Sequence, residues 1–177
     1  DAENDNLAIG YAALGGAING GEKNVAIGNY SLDALTSGDN NTGVGYGALT
    51  SNTTGSQNSA YGQESLYTNT TGTGNTASGY YSLYYNTDGN YNTASGYTSL
   101  RSNTTGRDNT TAGYGSLRSN TVGSYNTAIG AEALYDANRT ADANAYNTAL
   151  GYKAGNTGTN DITTGDRNVL LGASTAA

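Results

Sequence analysis

The chain is built on one repeat. The pattern Asn-x-small-x-Gly recurs with its glycine at Gly10, Gly28, Gly45, Gly62, Gly79, Gly96, Gly113, Gly130, Gly151 and Gly172, in steps of 18, then six of 17, then 21 and 21. A full unit runs from Asn92 to Asp108 and opens Asn92-Thr93-Ala94-Ser95-Gly96-Tyr97-Thr98-Ser99-Leu100. Disordered low-complexity sequence has no reason to hold such a register, whereas stacked coils require it. A unit of 17 is too short for a helix-turn-helix repeat and lacks a 3.6-residue apolar stripe. It fits two short strands and two turns, so the expected fold is all-β, a parallel β-solenoid or β-roll of about ten coils. Ten coils spaced by about 4.8 Å would make a rod of roughly 45–50 Å.

Numbering each coil from its Asn, the first strand is expected over positions one to five and the second around the Leu at position nine. The position-fifteen glycines (Gly38, Gly55, Gly72, Gly89, Gly106, Gly123) follow Asn-Thr-Thr or a close variant. There a residue free to adopt φ > 0 would let the chain reverse. The position-five glycine marks either a bend or a close backbone approach. Side chains alternate across a strand, which puts Ala26, Ala77 and Ala128 opposite a leucine ladder of Leu14, Leu32, Leu49, Leu66, Leu83, Leu100, Leu117 and Leu134. Position four (Ile9, Ile27, Val44, Ile129, Leu150 and Leu171, with Tyr61, Ser78, Ser95 and Ala112 between) then faces outward. It reads as a seam between chains, because one Leu per coil is a thin core. The inverse arrangement, position four inside and Ala outside, competes with it.

The position-one asparagines (Asn6, Asn24, Asn41, Asn58, Asn75, Asn92, Asn109, Asn126, Asn147 and Asn168) run unbroken. Amides stacked one coil apart can hydrogen-bond up the stack, a structural role before a ligand-binding one. Residues 1–5 read as an entry segment. Residues 6–177 read as one repeat domain, with regular coils over 6–125, longer loop-bearing coils over 126–167 and a last partial coil over 168–177.

Composition narrows function. The chain has no Cys, His, Pro, Met, Trp or Phe. Thiolate or imidazole zinc sites, disulfides, thiol nucleophiles and Ser-His-Asp triads are therefore excluded. The acids Glu64, Asp88 and Asp108 fall at unrelated coil positions, so no carboxylate pair of the glycosidase kind is implied. No catalytic residue, metal or cofactor is expected. Seven Lys and Arg against 14 Asp and Glu give a net charge of −7, which disfavours nucleic acid as a partner. No stretch approaches the ~20 apolar residues of a membrane span, so no membrane insertion by this segment is expected. With no Met and no signal peptide, the chain reads as a segment of something longer.

The unit Asn126-Thr127-Ala128-Ile129-Gly130 through Ala133-Leu134, with Asn24-Val25-Ala26-Ile27-Gly28, resembles the head repeats of trimeric autotransporter adhesins. The Asn-Thr-Thr-Gly spacing and the ending Asp161-Ile162-Thr163-Thr164-Gly165-Asp166-Arg167-Asn168-Val169-Leu170-Leu171-Gly172 are similar to the repeat shafts of bacterial and phage tail-fibre-domain proteins. The resemblance spans residues 6–177. It implies a homotrimer of left-handed β-rolls, an extracellular location on a cell-surface fibre or virion tail fibre, and attachment to a host-surface glycan or protein receptor. An ice-binding solenoid using Thr ladders at position two (Thr42, Thr76, Thr93, Thr110, Thr127, Thr148) and position thirteen (Thr53, Thr70, Thr87, Thr104, Thr121) is the alternative. A spacer with no recognition role is a third reading.

For surface contact the candidates are Tyr46, Tyr80, Tyr97 and Tyr114 of the position-six column, which also holds Tyr11 and Tyr152, together with Tyr81, Tyr84 and Tyr85, the densest patch. Such rings bind sugar faces or protein, or else simply cover the roll and support stacking. Tyr91, Tyr125 and Tyr146 form a further column near position seventeen. Arg101 and Arg118 stack at position ten, where like charges need an anion or Asp neighbours, and the pair reads either as a sialic-acid or phosphate clamp or as a solvated edge. Four-residue insertions around Ala137–Ala143 and Asn156–Asp161 are candidate binding loops, although Asp136, Asp142 and Asp161 lack calcium-loop spacing. Sequons at Asn52, Asn69 and Asn103 follow from the repeat and leave glycosylation open.

Overall fold

The computed structural model describes residues 5–137, 144–156 and 166–173. Ten three-residue strands follow one another: β1 (Leu7–Ile9), β2 (Val25–Ile27), β3 (Thr42–Val44), β4 (Ser59–Tyr61), β5 (Thr76–Ser78), β6 (Thr93–Ser95), β7 (Thr110–Ala112), β8 (Thr127–Ile129), β9 (Thr148–Leu150) and β10 (Val169–Leu171). They form one parallel sheet in the order of the sequence, in equivalent register throughout, so that Ala77 lies beside Ala94 and Ala94 beside Thr111. This is a β-solenoid of about nine turns. The insertion residues 138–143 and 157–165, with Asp142, Asp161 and the first five residues of the chain-end motif that begins at Asp161, lie outside the described residues.

The strand occupies positions two to four, narrower than the expected one to five. Position one is turned inward as an amide ladder, and position five carries a φ of +128° to +141° through the coils from Gly28 to Gly151, which ends the extended run. At Gly96 (φ +135°) an added Cβ would sit 2.4 Å from the Gly113 carbonyl oxygen. Both readings of this glycine hold together: it bends the chain and it admits the next coil.

The second expected strand is absent. The stretch around each position-nine Leu is a turn, and Leu32, Leu49, Leu66, Leu83, Leu100, Leu117 and Leu134 all lie at φ near +50°. The residues at positions seven and seventeen are also left-handed, among them Tyr30, Glu64, Tyr81, Thr98 and Glu132, and Asn40, Gln57, Tyr91 and Asp108. Each such L-residue costs about 1–2 kcal/mol. The conformation turns the corner while amides keep pointing along the stack: Leu49 N donates to Ser65 O at 3.0 Å and Leu66 N to Ser82 O at 3.0 Å, while Glu64 N donates back to Tyr46 O at 2.8 Å. Satisfied backbone groups and a buried Leu side chain, worth about 1.5–3 kcal/mol, offset the strain.

The position-fifteen glycines do not supply the positive φ expected of them. Their role is close approach: a Cβ on Gly89 would lie 2.3 Å from Asn86 Oδ1 and 2.5 Å from Gly106 O. The interior is otherwise as the alternation implies. Ala26, Ala60, Ala77, Ala94 and Ala128 are buried against the leucine ladder, so position four faces outward and the inverse arrangement fails. Where Thr111 replaces the alanine, its buried hydroxyl lies 2.6 Å from Ser99 Oγ and donates to Thr93 O at 3.2 Å, so the polar group is satisfied.

Candidate binding surface

The amide ladders are structural. From Asn6 to Asn147 each position-one Oδ1 accepts the backbone N–H of the next coil's Asn, as in Asn75 N to Asn58 Oδ1 at 3.0 Å and Asn92 N to Asn75 Oδ1 at 2.9 Å. A second ladder at position twelve (Asn52, Asn69, Asn86, Asn103, Asn120) was not anticipated as such, although its period of 17 is plain in the sequence. The two meet at the position-fifteen carbonyl: Gly106 O accepts Asn92 Nδ2 at 2.8 Å and Asn103 Nδ2 at 2.9 Å. These side chains are buried with their amides engaged, so they offer nothing to a ligand. The sequons at Asn52, Asn69 and Asn103 are likewise closed to glycosylation in the folded chain, which corrects the open reading of the sequence.

Three surfaces remain. On the outward sheet face, Ile9, Ile129, Leu150 and Leu171 are exposed and Ile27 and Val44 half-buried, with Thr76, Thr93 and Thr110 beside Ser78, Ser95 and Ala112 in the middle coils. The position-thirteen threonines are half-buried, and their hydroxyls are used within the stack, Thr53 Oγ1 donating to Thr70 O at 3.1 Å and Thr104 Oγ1 to Thr121 O at 2.9 Å.

The tyrosines form two groups on the turn that follows the strand. Tyr11, Tyr30 and Tyr46 meet edge to face. With Asp33, Glu64 and Tyr67, Tyr30 and Tyr46 line an open hollow of about 300 Å³ whose charges are acidic. The second group is continuous. Tyr80, Tyr97 and Tyr114 stack with centroids 5.1 and 5.5 Å apart and planes within 15°. Tyr80 abuts Tyr81, Tyr81 meets Tyr84 at 4.8 Å, and Tyr84 contacts both Tyr85 and Tyr67. Of the proposed contact residues, Tyr46, Tyr85, Tyr97 and Tyr114 are exposed, whereas Tyr80, Tyr81 and Tyr84 are half-buried. Tyr125 and Tyr146 stack separately.

The arginines belong to this second group, a convergence the separate columns did not reveal. The Arg101 guanidinium lies 5.1 Å from the Tyr85 ring centroid and 5.7 Å from those of Tyr81 and Tyr84, and Arg118 lies over Tyr135 and donates to its hydroxyl. Cation–π contact, not a neighbouring Asp, is what the chain provides for both charges. The hydrogen bond between the Tyr80 and Tyr81 hydroxyls holds the Tyr81 phenol above the usual tyrosine range, with burial and the charge of Glu64 acting the same way. Burial raises that of Tyr84, with the Glu64 charge adding to it and Arg101 opposing. Both shifts favour the neutral phenol at Tyr81 and Tyr84.

Among the described residues no group of three or more Asp or Glu could hold a metal ion, and no helix is long and apolar enough to cross a membrane. Comparison with family models, curated proteins and solved structures finds no match to the chain.

Proposed function

We propose that the chain is a structural and adhesive segment of an extracellular fibre, assembled as a homotrimer, whose solenoid sets length and whose side-chain columns meet a target surface. One observation carries the reading: the outward sheet face keeps an apolar stripe exposed in internal coils, with Ile129 41% and Leu150 49% accessible. In the same register Ile129 and Leu150 adjoin the terminal Leu171, and Ile9, Ile27 and Val44 form a second apolar run at the other end, with Tyr61, Ser78, Ser95 and Ala112 between. A thin one-Leu-per-coil core gains most from covering such a stripe with copies of itself, since each large aliphatic side chain removed from water contributes about 1.5–3 kcal/mol. The repeat resemblance to adhesin heads and tail-fibre shafts points the same way.

Light scattering on the purified chain tests it. The expected mass is near three times 17.9 kDa, and Leu150→Asp, which places a charge in the seam, is expected to shift that mass to the monomer while leaving the β-rich circular dichroism. A β-rich monomer for the unsubstituted chain sinks the trimer. That result would favour the second reading, because the outward Thr93–Ser95 and Thr76–Ser78 pairs lie in register on one sheet face, and thermal hysteresis of the monomer would then identify an ice-binding face.

A further inference from the structure

The turn that follows the strand sets three side-chain columns next to one another. Position six supplies Tyr97 and Tyr114, position ten supplies Arg101, Arg118 and Tyr135, and position seven lies between them. In the flanking coils position seven is bulky, as Glu64, Tyr81 and Glu132 are, but in two consecutive coils it holds Thr98 and Gly115. The result is an open groove of about 280 Å³, closed at one end by Tyr81 and lined by both arginines and the tyrosine wall. That volume lies near the lower end of small-ligand sites.

Two features specify its chemistry. The rings of Tyr97 and Tyr114 are nearly parallel, but their centroids are 5.5 Å apart, well beyond the ~3.5–4.0 Å of face-to-face carbon contact. The rings are offset rather than face to face, and both residues are about half accessible, Tyr97 50% and Tyr114 53%. The second feature is charge. On a chain of net charge −7, two guanidiniums one coil apart have no carboxylate partner among the described residues, and Arg101 Nε is buried without any hydrogen-bond partner. Glu132, at position seven of the next coil, is already paired with Lys153 at 3.4 Å. An uncompensated pair of like charges held against rings is completed by an anion from outside.

We propose that this groove is a binding site for an acidic saccharide, with pyranose faces against Tyr97 and Tyr114 and a sugar carboxylate accepting from the Arg101 and Arg118 guanidiniums. Tyrosine walls suit sugar rings, which combine apolar faces with hydroxyl edges. A polyphosphate backbone is disfavoured because two cations on an acidic rod are too few to track it. The acidic hollow around Asp33 and Glu64, built on the same columns, has the opposite charge and would repel the ligand.

The proposal rests on the attachment reading for its purpose, but not on the trimer for its geometry. Isothermal titration calorimetry of the full chain against tetragalacturonate, 3′-sialyllactose, uncharged maltotetraose and an eight-residue oligothymidylate separates the cases. At least one acidic sugar is expected to bind at least about tenfold more tightly than maltotetraose, and which one does distinguishes a uronate from a sialate. Arg118→Gln is expected to weaken that binding at least about tenfold, whereas Arg167→Gln, outside the groove, leaves it unchanged. Tyr97→Ala tests the wall independently of charge and is expected to weaken every sugar that binds. Acidic sugars no tighter than maltotetraose, Arg118→Gln without effect, or tighter binding of the oligothymidylate would each overturn the site. A trimer that binds no sugar removes the groove and leaves the fibre, while a monomer that binds one does the reverse.

Discussion

Replacing Asn92 by Ala is expected to lower unfolding free energy by about 3–5 kcal/mol, far more than removing an asparagine from the rim. Asn92 Nδ2 donates to Asn75 Oδ1 at 3.2 Å and to Gly106 O at 2.8 Å, and its Oδ1 accepts from Asn109 N and Asn109 Nδ2, both at 3.0 Å. The site is fully buried. Truncation leaves the Asn109 backbone N–H without an acceptor where water does not reach, at about 1–3 kcal/mol, and removes further bonds worth about 0.5–1.5 kcal/mol each. The comparison variant is Asn40→Ala, at an exposed left-handed position. It loses only the tolerance of Asn for φ > 0 and is expected to cost about 1 kcal/mol. Urea unfolding followed by circular dichroism reads both. Near-equal losses for the two variants would mean that the buried ladder does not hold the coils together.

Gly96→Ala is expected to be worse still, with a loss above about 4 kcal/mol or failure to recover a soluble folded chain. The residue lies at φ +135°, and the new Cβ would meet Gly113 O at 2.4 Å and Gly113 C at 2.7 Å. Both obstacles are backbone, and neither coil can move away without breaking the flanking bonds of Gly96 N to Ser78 O and Gly113 N to Ser95 O, each 2.8 Å. Gly47→Ala supplies the contrast. At φ +64° it occupies position seven, where Glu64 and Tyr81 adopt the same conformation, and its nearest contact is the flexible Glu64 Cγ at 3.2 Å. A loss of about 1 kcal/mol is expected there. If Gly96→Ala unfolded no more easily than Gly47→Ala, the close coil approach at position five would be refuted.

These two substitutions show how far the repeat can be read from the chain. Position-one Asn and position-five Gly recur at one spacing because each must meet its own copy in the next coil, so the contact is recorded as periodicity. The Ala and Leu interior was legible for the same reason, as was the outward direction of Ile129 and Leu150. The position-twelve ladder had the same signal at Asn52, Asn69, Asn86, Asn103 and Asn120 and was hidden by its likeness to a sequon. The second strand was misplaced because Leu100 in a run of small polar residues reads as extended, whereas its backbone is left-handed.

The groove was legible only in its parts. Tyr81, Tyr84 and Tyr85 were singled out as one patch and Arg101 and Arg118 as another, without Thr98 or Tyr135. Their meeting depends on the angle at which positions six to ten fold back, and that angle is fixed by left-handed residues of mixed type at positions seven and nine.

The sequence by itself determined the coil, its register and its core, because stacking identical units forces equivalent residues into contact and any breach of the period is penalised in every neighbour. Only the tertiary structure decided where the chain turns and which columns converge. Backbone φ at positions seven and seventeen is imposed by hydrogen bonds to adjacent coils on side chains as different as Glu64, Tyr81, Gln57 and Tyr91. A conformation dictated from outside the residue leaves no mark on the residue that adopts it.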